Sequence, residues 1–132
     1  MIRRAAIAVI GLCGLATPSI ATEWVNCAAP DGAATLDFLA GSLDVLSIVG
    51  LNISVGEQVW ANSAAYGPGD PVSVGQAFED DRVVLIDAVD EAVTKKIAEL
   101  RLFKTSENEE TVFGGTLRIP GYGAWPVSCT GP

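Results

Sequence analysis

The run Val45-Leu46-Ser47-Ile48-Val49-Gly50-Leu51-Asn52-Ile53-Ser54-Val55 alternates with a period of two. Val49, Leu51, Ile53 and Val55 fall on one face and Gly50, Asn52 and Ser54 on the other, which is the pattern of a half-buried β-strand. A tight Val55-Gly56-Glu57 turn is expected to send the chain back along 58–61. Upstream, 34–39 places Leu36 and Phe38 on one face and Thr35 and Asp37 on the other. Downstream, 71–78 sets Val72, Val74, Gln76 and Phe78 against Ser73, Gly75 and Ala77. Further strands are expected at 82–86, 99–104, 111–119 and 124–129, each bounded by Gly, Pro, Asn, Asp or Ser clusters. Gly114-Gly115 reads as a bulge or as a close approach of two strands.

One segment reads both ways. Val89, Val93, Ile97 and Leu100 recur at helical spacing, with Asp87 and Asp90 at the start and Lys95 and Lys96 nearer the end, signs that suit a helix dipole. Ala98, Leu100 and Leu102 fit a strand instead. The expectation is a mainly β, small single-domain fold, a β-sandwich or barrel-like, with at most one short helix at about 88–98.

Met1-Ile2-Arg3-Arg4, an apolar run, and the exit Ser19-Ile20-Ala21 have the form of a secretory signal peptide over 1–21. Pro18 and the polar residues after Ala21 cut the apolar stretch short of the roughly 20 residues that cross a bilayer. Removal after Ala21 leaves one β-rich domain, 22–132, periplasmic or secreted, and takes Arg3 and Arg4 with it. Six basic then face sixteen acidic residues, a net charge of −10. Such a surface repels nucleic acid and anionic membranes, and no membrane insertion is expected after leader removal. Cys27 and Cys129 remain as an even pair in an oxidising compartment, and one disulfide is expected to close the domain from its N- to its C-terminal strand. Trp24 and Trp125 stand just before those two cysteines, so a disulfide is expected to bring both indoles to one end of the fold.

With no histidine in the chain, Ser–His and Cys–His nucleophile pairs are excluded, and so is the commonest zinc ligand. There is no phosphate-binding or dinucleotide glycine motif, and no cofactor or metal is expected. Paired carboxylates are the remaining catalytic route. The densest acidic run, Glu79-Asp80-Asp81, lies between two expected strands, where a charged turn is the ordinary reading. Glu107, Glu109 and Glu110 form a second acidic turn. The loop 61–71 carries Tyr66 and two prolines with little apolar content, and loops on a rigid β scaffold often carry function. The candidate binding surface is therefore Trp60, Tyr66, Glu79, Asp80, Asp81 and Trp125. Small exported β domains with one disulfide and an acidic surface resemble the periplasmic lysozyme inhibitors in architecture, and Ser63-Ala64-Ala65-Tyr66 is loosely similar to a Ser…Tyr loop of that group. The expected function is a binding or inhibitor module, not an enzyme, for a basic protein of the cell envelope. The alternatives are a carboxylate-pair hydrolase and a structural envelope protein without a ligand.

Overall fold

The computed structural model describes residues 22–41 and 43–131, together with Gly14; apart from that glycine, the expected leader lies outside the described residues. Among the described residues ten strands run in chain order: β1 (Glu23–Ala28), β2 (Ala34–Ala40), β3 (Ile48–Val55), β4 (Gln58–Ala61), β5 (Asp70–Pro71), β6 (Ser73–Glu79), β7 (Val83–Val89), β8 (Lys96–Glu107), β9 (Glu110–Ile119) and β10 (Gly123–Thr130). They form one sheet in the order β5-β4-β3-β2-β1-β10-β9-β8-β7-β6, curled into a nearly closed barrel. The fold is all-β; one turn of 3-10 helix at Pro30–Gly32 links β1 to β2.

Near-closure follows from a single stretch of chain. Asp70 and Pro71 pair in parallel with Trp60 and Ala61 of β4. The Val72 N–H then donates to the Ala61 carbonyl at 3.2 Å. From Ser73 the same run pairs antiparallel with β7. The two ends of the sheet order are thus consecutive in sequence, and the exposed edges that invite aggregation are largely covered. The opposite side is closed covalently. Cys27 and Cys129 stand in register on β1 and β10 and are joined as expected, their Cα atoms 4.1 Å apart.

The period of two fills the barrel. Val25 and Cys27, Leu36 and Phe38, Leu51 and Ile53, Val84 and Ile86, Leu100 and Leu102, and Leu117 and Ile119 all point inward and are buried. Each buried Leu, Ile or Phe contributes on the order of 1.5–3 kcal/mol. Gly115 lies on the inward face of β9, opposite Leu102 of β8. A Cβ there would fall on the Arg101 carbonyl oxygen, so the doubled glycine is a close strand approach in an unbroken register rather than a bulge.

Three expectations change. The 88–98 segment is not a helix: β7 and β8 pair down to Val89 and Lys96, and the intervening turn is built around Asp90. Its Oδ1 accepts from the N–H groups of Thr94 and Lys95 at 2.7 and 3.0 Å. Asp90 therefore stabilises a turn, and the helical spacing of Val89, Val93 and Ile97 is accidental, with Val93 69 % exposed. The Val45 run becomes strand only at Ile48, and Val45 is exposed before it. In β6 the register slips between Val74 and Gln76. That bulge reverses the alternation, so Val72 is buried while Phe78 faces outward.

Candidate functional site

At one end the barrel opens into a cavity of about 300 Å³. Its wall is apolar: Val25 at the start of β1, Phe38 and Ala40 at the end of β2, Leu46 before β3, Val84 on β7 and Phe113 on β9. Alternation explains why these side chains converge. Those on strands share the inward face with core residues further along, such as Cys27, Leu36, Ile86 and Leu117. Glu79, Lys104 and Thr111 complete the lining. Lys104 occupies an inward position two and four residues beyond buried Leu102 and Leu100. Its ammonium reaches the rim, where it pairs with Glu79 Oε2 at 3.1 Å. A stem along the apolar wall with a charged head toward water is how a lysine fits such a place.

The rim is strongly acidic. Four segments end there: the start of β1, the 41–47 connection, the β6–β7 turn and the β8–β9 turn. They carry Glu23, Asp44, Glu79, Asp80, Asp81, Glu107, Glu109 and Glu110, half of the sixteen acidic residues. Among the described residues, only Arg82 and Lys104 answer them. Asp80 is also structural: its Oδ1 accepts from the N–H groups of Arg82 and Val83, both at 2.8 Å. Those bonds hold its carboxyl below the usual carboxylate range.

The aromatic candidates lie elsewhere. Trp60 is 8 % exposed and stands edge-on to Tyr122 with ring centroids 5.6 Å apart. It plugs the end of the barrel opposite the mouth, in a depression shared with Lys95, Lys96 and Pro120. Trp125 is half-buried against the core. Tyr66 packs on the outer wall, edge-on to Trp24 at 6.0 Å, and the two rings cover Gly50, where a Cβ would lie 3.0 Å from Trp24. Asn52 Nδ2 donates to the Tyr66 carbonyl at 2.8 Å and fixes the loop there. The candidate surface therefore divides: Glu79, Asp80 and Asp81 gather at the mouth, while Trp60, Tyr66 and Trp125 do not join them. Trp24 and Trp125 are not at one end either. Both precede their cysteines, and in an antiparallel pair preceding residues diverge from the bridge in opposite directions.

A carboxylate pair unseen in the sequence lies on the outer wall, where Asp87 stands directly opposite Glu99. Lys96 contacts both, at 3.4 and 2.6 Å. Arg101 lies 2.8 Å from Asp87 Oδ1, an ion pair whose angle falls outside a hydrogen bond, and Arg118 lies 3.0 Å from Glu99. Lys96 first and Arg118 second hold the Glu99 carboxyl below its ordinary range. Asp87 is buried at 7 % exposed, and the two acids are cross-braced by cations on the outer face of the sheet. The mouth lining of Phe38, Phe113 and Lys104 was not singled out from sequence; the available signal was a lysine in phase with the buried leucines of its strand. No protein-family model, curated protein or solved structure matches the chain.

Proposed function

We propose that the chain is an exported binding module, not an enzyme, whose barrel mouth meets a basic protein. The observation that carries this reading is the collection of eight acids from four separate segments around one opening. Four of the six described bases, Lys95, Lys96, Arg101 and Arg118, lie away from that rim. Both parts of the described chain are net negative, −6 at the rim and −4 elsewhere, and the denser rim charge orients a basic partner toward the mouth during approach. The carboxylate-pair alternative draws less support, since Asp87 and Glu99 are neutralised by cations on the outer wall.

The test is capture from an envelope extract on the oxidised 22–132 chain, followed by association kinetics of whatever is retained. Basic proteins are expected to be held at low salt and released as the Debye length falls to about 8 Å and below. Association should slow while dissociation changes little. Substituting Asp44, Asp81, Glu107, Glu109 and Glu110 by their amides should reproduce that loss at low salt. Asp80 is left intact because it caps its own turn. Association indifferent to both salt and the amide variant overturns the reading and leaves the acidic rim a role in solubility alone.

A further inference from the structure

We infer that the mouth is a binding site for a single-chain amphiphile with a cationic head, the apolar tail inside the barrel and the ammonium at the rim. This is a small-ligand site, and it does not require that a basic protein partner exist. The cavity of about 300 Å³ is at the lower end of ligand-sized pockets, which are mostly apolar with a few polar groups that fix orientation. Here the apolar part is Phe38, Phe113, Val25 and Val84, and the charged groups are the partly exposed pair Lys104 and Glu79. Among the described residues, Glu79, Lys104 and Thr111 are the polar side chains of the lining, so a tail that carried hydrogen-bonding groups against the apolar wall would leave them unpaired.

The sign of the head follows from the rim. Glu79 already neutralises Lys104 at 3.1 Å, so the lysine offers little to an incoming anion. Glu79 itself is 42 % exposed and stays reachable by a cation. Beyond that pair the rim carries, among the described residues, seven further acids against Arg82. A carboxylate or sulfate head would enter a field that repels it; a quaternary or primary ammonium would be drawn in.

The experiment is calorimetric titration of the oxidised 22–132 chain with alkyltrimethylammonium ions below their micelle concentration. Tetramethylammonium, the butyl and octyl homologues, and octanoate form the series. Saturable binding of one octyltrimethylammonium is expected, tightening about fourfold for each methylene the cavity covers. Octanoate should bind at least tenfold more weakly, and salt should weaken the cation's binding. Ala40→Phe, which fills the cavity from its edge, should abolish binding while the far-ultraviolet spectrum is unchanged. The inference is overturned if affinity is independent of chain length, which means a surface ion only. Octanoate binding as tightly as the cation also overturns it, as does a folded Ala40→Phe chain that binds normally. The chain-length and head-group comparisons use the unaltered protein, so they stand if Ala40→Phe fails to fold. Capture of a basic protein without binding of the amphiphile removes this inference and leaves the proposed function in place.

Discussion

Gly115 shows how much one side chain can matter in a strongly curled sheet. β8 and β9 come so close at Leu102–Gly115 that the position has no room for a methyl group beside the Arg101 carbonyl. Backbone, not a flexible side chain, is the obstacle, so relief requires the strands to separate. Gly115→Ala is expected to cost about 1–3 kcal/mol, as overpacking does, and a urea midpoint at constant m-value measures it. Gly50 is a milder case on the outer wall, where Trp24, Tyr66 and Leu39 cover the missing side chain. There the sheet replaces a β-carbon with aromatic surface borrowed from β1 and from the 62–69 loop.

At the level of elements, the β7–β8 connection explains both a misleading sequence signal and a pH dependence. Asp90 accepts from Thr94 and Lys95, and the Thr94 hydroxyl first among several causes draws its carboxyl below the ordinary value. A carboxyl with a depressed folded pKa adds stability that is present above about pH 4, its unfolded value, and is lost as pH falls through the folded one. Glu99 acts in the same direction. Asp37 opposes them: burial raises its pKa, so its protonation recovers stability as the solution is acidified. Urea midpoints are expected to fall between pH 6 and pH 3. They should fall less in Asp90→Asn, which keeps an acceptor oxygen without the charge. Equal pH dependence in the two chains would show that the turn is not the source.

For the whole molecule, two closures hold the barrel, and they differ in kind. The 70–79 run bridges the two edges by hydrogen bonds, while Cys27–Cys129 ties strands 102 residues apart in sequence. A loop of that length restricts the unfolded chain strongly, and its stabilisation is about 2–5 kcal/mol. Reduction with dithiothreitol, or replacement of both cysteines by serine, is expected to lower the stability measured by urea unfolding by that amount. An unchanged midpoint would mean that the hydrogen-bonded closure suffices. The same architecture gathers the acids: antiparallel strands return every second connection to the same end, so turns distant in sequence share one rim.

The β class, most strand positions and the disulfide were legible in the sequence, because a period of two and the two cysteines outside the expected leader are local or countable signals. The run around Leu51 and Ile53 and the pairing of Cys27 with Cys129 are the clearest cases. The reversal in β6 was not legible, since a bulge is set by partner strands and leaves the alternation of Val72 to Phe78 looking regular. Nor was the turn at Asp90, whose neighbours mimic helical spacing. The acidic turns could be named one by one, but their convergence could not, because it depends on strand order and direction. Trp60 gave no sign of whether it would face solvent or plug a barrel. Lys104 became part of a candidate site only when Val25, Phe38, Val84 and Phe113, from four different strands, were folded around it. Alternation along a strand is a property of the chain itself; which faces and ends come together is decided by closure of the sheet.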